Sequence, residues 1–225
     1  MRLYLSSYRL GDSAGALLAL VGNGARAAII SNALDYVPAA TRAAYRAEIS
    51  DPIADFAALG IYAQDLDLKE YFGDPDRLEN ALRGVDLVWA LGGNTFILRR
   101  AMAQSGFDTV ITELLARDVI VYGGFSAGAV VASPRLNGNE LMDDPNEIPA
   151  GYDPAVVWDG LSLVDYAIVP HFDSPHPENA AARAVANQHA RRKTPFRALR
   201  DGEVIVHIGK ISDSRDLRTA KELAL

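Results

Sequence analysis

A chain of 225 residues with 49% apolar content can bury a continuous core and fits a single domain, predicted over residues 1–225. Twenty-nine acidic residues against 22 basic ones leave a net charge of -7, which excludes the basic surface that a nucleic-acid or anionic-membrane partner needs. The absence of cysteine rules out disulfides, thiolate metal sites and a cysteine nucleophile, and makes the cytoplasm the expected compartment.

The N-terminal MRLYLSSYRLG lacks the apolar run and cleavage site of a signal peptide, and no apolar stretch reaches the roughly 20 residues that span a bilayer. Leu3 to Ser6 reads as a first strand and Ser13 to Val21 as a helix with apolar residues at helical spacing. Ala27 to Ser31 is a second strand. Ala39 to Leu59 is helical with a break at Ser50-Asp51-Pro52, and Ile61 to Leu66 is a third strand. Asp74-Pro75, a cap followed by proline, starts the helix Asp76 to Leu82. Val85 to Leu91 is an apolar run of the kind buried on both faces of a parallel sheet. Helices over Thr95 to Gln104 and Phe107 to Ala116, a strand at Val119 to Tyr122 and helical turns at Ala127 to Ala132 continue the alternation.

From Ser133 to Gly160 the composition turns to Pro, Gly, Asn and Asp, a loop long enough to suggest service to a site. Val164 to Val169 is a strand closed by Pro170, and Glu178 to Ala190 a helix whose end carries the basic cluster Arg191-Arg192-Lys193, read as a solvated turn. Phe196 to Ile208 contains Asp201-Gly202 between apolar alternations, which predicts a C-terminal hairpin. The expected fold class is α/β, a three-layer sandwich with a mostly parallel central sheet and helices on both faces.

In such sheets reactive groups gather beyond the carboxyl ends of the strands. Gly124-Phe125-Ser126-Ala127-Gly128, between a strand and a helix, has the nucleophile-elbow pattern, whose small residues permit a tight turn that lifts the serine to a helix N-terminus. Leu91-Gly92-Gly93-Asn94-Thr95 follows another strand; its glycine amides can serve as oxyanion donors, or the segment is simply a turn capped by Asn94 or Thr95. It is neither GxGxxG nor a Walker motif. Val169-Pro170-His171-Phe172-Asp173 ends a third strand, and of the four histidines His171 is best placed as base. Asp173 and His176 alone are too little for a metal site. The base needs a carboxylate to orient it, and Glu140, Asp143, Asp144, Glu147, Asp153, Asp159 and Asp165 all lie between the serine and His171.

Three segments, Leu91 to Phe96, Gly124 to Ala129 and Pro170 to Phe172, resemble in order and position the peptidase E family of aspartyl dipeptidases. That family is related to cyanophycinases and is similar in fold to class I glutamine amidotransferases. The resemblance implies a serine-type dipeptidase with Ser126 as nucleophile, His171 as base, and Gly92, Gly93 and Ala127 as oxyanion donors. It places the acid about fifteen residues after the serine, which selects Glu140, with Asp143 as the alternative. Asn94 is a candidate substrate-binding residue, and so is Arg183, the arginine nearest the family's specificity position, where none stands at the matching spacing. Short peptides with N-terminal aspartate are the implied substrate; another short peptide or an aspartate-rich polymer is the second reading, and a non-catalytic ligand-binding domain the third. No cofactor or metal is implied, and a homodimer is.

Overall fold

The computed structural model describes residues 1–48 and 50–209; residues 210–225 of the predicted domain lie outside them. Strands β1 (Arg2–Ser6), β2 (Arg26–Ile30), β3 (Tyr62–Asp65), β4 (Leu87–Ala90) and β5 (Val121–Phe125) pair in parallel, and β8 (Val204–Ile208) adds to β1 antiparallel, giving the order β3-β2-β4-β5-β1-β8. Successive side chains of a strand point to opposite faces, and the apolar runs divide accordingly. Leu3, Leu5, Ile30, Val88 and Tyr122 join a cluster with residues of α4 (Pro75–Ala81), α5 (Thr95–Ser105) and α6 (Phe107–Ala116). Tyr4, Ile29, Leu87, Trp89 and Val121 face the opposite way, onto α1 (Ala14–Val21) and α3 (Pro52–Ala58). The sheet is therefore covered on both faces, as the fold class predicts. The remaining helices are α2 (Ala39–Glu48), α7 (Ala127–Val130) and α8 (Asn179–Arg192).

The punctuation read from the sequence works locally. Asp51 and Asp74 accept hydrogen bonds from the amides of Ile53 and Arg77 at 3.0 and 3.1 Å, each with proline at the first helical position.

Two expectations are corrected. The C-terminal strands exist but form no hairpin: β7 (Phe196–Ala198) pairs in parallel with β6 (Ala167–Val169) in a separate two-stranded sheet, while β8 joins β1. The Asp201-Gly202 turn thus carries the chain from one sheet to the other. The 133–160 segment does not swing back toward His171 with an acid. Its regular structure is a single 3₁₀ turn at Asn139–Leu141, and α5 ties it down: Arg99 Nε donates to the Asp159 carbonyl at 2.7 Å, and Arg100 donates to the Pro145 and Ala155 carbonyls at 2.7 and 3.1 Å.

Candidate active site

The carboxyl ends of β4, β5 and β1 lie side by side, since β5 sits between the other two. At the end of β5 the chain turns sharply at Ser126, whose φ of 48° and ψ of -116° are rare for a residue with a β-carbon. Close packing shapes this turn. A β-carbon on Gly128 would lie 2.1 Å from the Ala90 carbonyl oxygen, and one on Gly124 would lie 2.8 Å from the same atom. Only glycine lets α7 approach β4 this closely. Gly92 packs directly on the turn, where an added β-carbon would meet that of Ser126 at 3.1 Å. Among the described residues, the Gly93 and Ala127 amides donate to no carbonyl, so both stay available beside the serine.

His171 follows β6 in a left-handed conformation, φ 60°, and is almost wholly buried. Its Nε2 lies 3.1 Å from Ser126 Oγ, and its Nδ1 lies 2.7 Å from Asp201 Oδ1. A carboxylate on Nδ1 holds the proton there and leaves Nε2 as the acceptor facing the hydroxyl. Ser7, the residue after β1, fastens both partners: its hydroxyl donates to Asp201 Oδ1 at 2.9 Å and accepts from the His171 amide at 2.8 Å. The Asp201 amide in turn donates to Ser174 Oγ at 2.7 Å. Burial lowers the pKa of His171, the His176 ring lowers it further, and the Asp201 hydrogen bond opposes both. Burial and the His176 ring thus favour the neutral imidazole, the form that can take a proton.

The acid beside the imidazole is thus Asp201, and neither Glu140 nor Asp143 occupies that place. Glu140 accepts from the Gly138 amide within its own turn. Asp143 accepts from the Thr95 amide at 3.0 Å and from Asn139 at 2.8 Å, closing the start of α5. Asn94 and Arg183 are engaged elsewhere too. Asn94 Oδ1 caps α5 through the Phe96 and Ile97 amides, at 2.9 and 3.1 Å, and its Nδ2 donates to the Asp144 carbonyl at 2.9 Å. Arg183 is exposed, pairs with Asp173 and lies over the Phe172 ring.

Two further residues stand beside the base, a place the sequence did not assign them. His176 stacks on His171 with ring centres 3.7 Å apart and planes within 7°, and Glu178 Oε2 lies 3.6 Å from His171 Nε2. Burial raises the pKa of Glu178, with Asp143 and Asp201 adding to the effect. The ligand atoms of His171, His176 and Glu178 fall within 4.8 Å of one another. The parallel rings, however, do not converge on one point as tetrahedral coordination requires.

Ser126, Gly92 and Gly93 open onto a cavity of about 670 Å³ whose walls combine Trp89 and Phe125 with charged side chains. That volume suits a small molecule or short peptide. A serine at a strained strand-to-helix turn, an imidazole on its hydroxyl and a carboxylate behind the imidazole together define a protein with the constellation of a serine hydrolase.

Residues 10–213 match the model of Peptidase family S51, and the chain belongs to that family. It is 33% identical over 116 residues to a peptidase of Listeria innocua, covering 52% of each chain. It is 35% identical over 101 residues to a Drosophila melanogaster protein named as an alpha-aspartyl dipeptidase, covering 45% of this chain and 38% of that one. The chain spans about half the length of these curated relatives or less. The fold is similar throughout to the crystal structure of a Listeria monocytogenes protein assigned to peptidase E, with a TM-score of 0.76 at 22% identity over 97% of this chain and 96% of that one.

Proposed function

We propose that the protein is a serine-type peptidase that hydrolyses short peptides, dipeptides with N-terminal aspartate foremost. The observation that carries the reading is the hydrogen-bonded series Ser126–His171–Asp201, at 3.1 and 2.7 Å, opening onto the cavity. Ser126 Oγ attacks the scissile carbonyl as His171 Nε2 takes its proton, and Asp201 stabilises the imidazolium that forms. The amides of Gly93 and Ala127 receive the negative charge that develops on the carbonyl oxygen. His171 then gives its proton to the departing amine. Water, deprotonated by the same nitrogen, attacks the acyl-enzyme and restores the serine. The preference for aspartate is supported by the Drosophila relative's name and by Arg9, the cavity arginine with no carboxylate partner among the described residues.

The experiment is release of free amino acid from Asp-Leu, Asp-Ala, Glu-Leu, Leu-Leu and an N-blocked aspartyl peptide, with wild type and Ser126→Ala in parallel. Cleavage restricted to a free N-terminal aspartate and absent in Ser126→Ala is expected. Failure to cleave any of them in a serine-dependent manner overturns the proposal.

A further inference from the structure

The cavity beside Ser126 is lined by three arginines with different surroundings. Arg42 donates to Asp35 at 2.7 Å, and Arg46 donates to Asp51 and Asp65, each at 2.8 Å. Arg9 has no carboxylate partner among the described residues. It sits in the turn after β1 with a left-handed φ of 47°, and its guanidinium lies 5.1 Å from the centre of the Tyr8 ring. The hydroxyls of Tyr8 and Tyr45 are its hydrogen-bonding neighbours. Its Nε is buried and has no hydrogen-bond partner among the described residues.

A guanidinium whose charge meets no carboxylate is poorly compensated, and this one is found on a cavity wall shared with the candidate nucleophile. What such a group lacks is a planar anion, since the guanidinium fork matches a carboxylate with two parallel hydrogen bonds. The same cavity also carries carboxylates: Asp35 and Asp65 engaged by Arg42 and Arg46, and Asp55, Asp67 and Glu178 besides. A ligand with both an acidic and an ammonium group, such as a short peptide, therefore matches the walls better than a bare polyanion, which Glu178 would repel. Arg183 cannot make the same contact: it is outside the cavity lining and is paired with Asp173.

We propose that Arg9 is a specificity-determining residue that binds a carboxylate of the substrate, in the place expected of Arg183. The inference rests on the serine-peptidase reading for the identity of the ligand. That carboxylate is either the aspartate side chain or the C-terminus of the dipeptide, and the assay separates the two.

Wild type, Arg9→Gln and Arg9→Lys are compared on Asp-Leu against Asn-Leu, and on Asp-Leu against aspartyl-leucinamide, with kcat and KM determined separately and circular dichroism as the control for folding. Arg9→Gln is expected to lower kcat/KM for Asp-Leu by about 10- to 100-fold and to erase the preference for acid over amide in one of the pairs. The pair affected identifies the carboxylate. Arg9→Lys, which keeps the charge but not the fork, restores part of the loss and serves as the informative variant if the glutamine form does not fold. Both preferences intact in folded variants with Ser126-dependent turnover would overturn the role of Arg9 and leave the peptidase reading standing. If wild type cleaves neither pair, calorimetric titration of the same dipeptides into Ser126→Ala with and without Arg9→Gln decides the matter. Carboxylate-dependent binding that needs Arg9 upholds its role while the peptidase reading falls, and equal heats with and without Arg9 refute it.

Discussion

Replacing Asp201 by asparagine tests the proposed catalytic arrangement more sharply than removing the serine, because it separates Asp201 from the acids that chain order favours. Asp201 Oδ1 accepts from His171 Nδ1 at 2.7 Å and from Ser7 Oγ at 2.9 Å. The change is nearly isosteric, so the turn and the β1–β8 pairing persist. If the new amide presents its NH2 to Nδ1, the imidazole proton is forced onto Nε2, and the atom facing Ser126 Oγ becomes a donor that cannot accept the serine proton. If it presents its oxygen, the hydrogen bond survives but the charge that stabilises imidazolium is gone. The loss expected of a wrong-tautomer triad is about 10⁴ in kcat, or about 5.4 kcal/mol at 1.36 kcal/mol per tenfold. Glu140→Gln and Asp143→Asn are the comparison. Neither carboxylate touches the imidazole, so the first should stay within about threefold of wild type, and the second should act through stability by removing a helix cap, at a cost of about 1 kcal/mol. Steady-state release of amino acid from Asp-Leu, with urea unfolding of each variant, gives both numbers. A folded Asp201→Asn within tenfold of wild type, together with a thousandfold loss in Glu140→Gln, would refute the assignment.

The remaining predictions concern pH, packing and the long loop. Since burial depresses the His171 pKa, the acid limb of kcat/KM should have its midpoint below the ordinary imidazole value of about 6.5: activity persists as pH falls through that value and is lost only where Nε2 becomes protonated. His176→Ala removes a neighbour that lowers this pKa and should move the limb upward, whereas Asp201→Asn removes the hydrogen bond that raises it and should move the residual activity's limb downward. Gly128→Ala would set a β-carbon 2.1 Å from a backbone oxygen, so destabilisation of about 3 kcal/mol or more is expected in urea unfolding. A fully stable Gly128→Ala would contradict the packing described for the elbow. Arg100→Met removes the donors to Pro145 and Ala155, and limited proteolysis should then cut faster within 143–159 while circular dichroism is preserved.

The parts of the fold legible in the sequence are those fixed by local pattern. The strand at Val85 to Leu91 stands out because buried parallel strands are continuously apolar, and Asp51-Pro52 and Asp74-Pro75 mark helix starts through their own chemistry. The elbow was legible for a related reason, since a serine amid Gly124, Ala127 and Gly128 is needed only where a helix must approach a strand closely. The carboxylate beside the imidazole was not legible, because Asp201 follows His171 in the chain, and spatial order differs from chain order. The start of β8 lies at the same end of the sheet as the finish of β1, as antiparallel pairing requires: Ser6 registers with Val204, and the Ser7 amide donates to the Glu203 carbonyl at 3.1 Å. Asp201 just before β8 is thereby delivered to the reactive edge. Reading Phe196 to Ile208 as a hairpin hid this, because a hairpin would have left the turn away from β1. Asn94 and Asp143 are occupied for a complementary reason: a helix that begins at the reactive edge needs its own amides satisfied, and these polar side chains meet that need.

Three positions of backbone strain follow from the same geometry. Ser126, His171 and Arg9 all have positive φ without being glycine, at 48°, 60° and 47°, conformations that cost about 1–3 kcal/mol each. Each is held by contacts that a relaxed backbone would lose. The Ser126 amide donates to the Ser6 carbonyl at 3.2 Å, the His171 amide is fixed by Ser7 Oγ, and the turn holding Arg9 is closed by the Gly11 amide on the Tyr8 carbonyl at 3.1 Å. All three restraints lead to residues 6–8, at the carboxyl end of β1. That strand is interior to the sheet, paired on one side with the strand that presents the serine and on the other with the strand that follows Asp201. A single rigid strand end therefore sets the separation of Ser126, His171 and Asp201, and carries the proposed carboxylate-binding arginine. It follows that Ser7→Ala, which removes one hydroxyl and no charge, should lower kcat through the loosened imidazole–carboxylate pair by at least about tenfold, the effect of about 1 to 1.5 kcal/mol for the lost hydrogen bond to Asp201, to which the lost acceptor of the His171 amide adds. KM should remain near its wild-type value, because Ser7 lies behind His171 and not on the cavity wall. A change confined to KM would place the anchoring of the triad elsewhere.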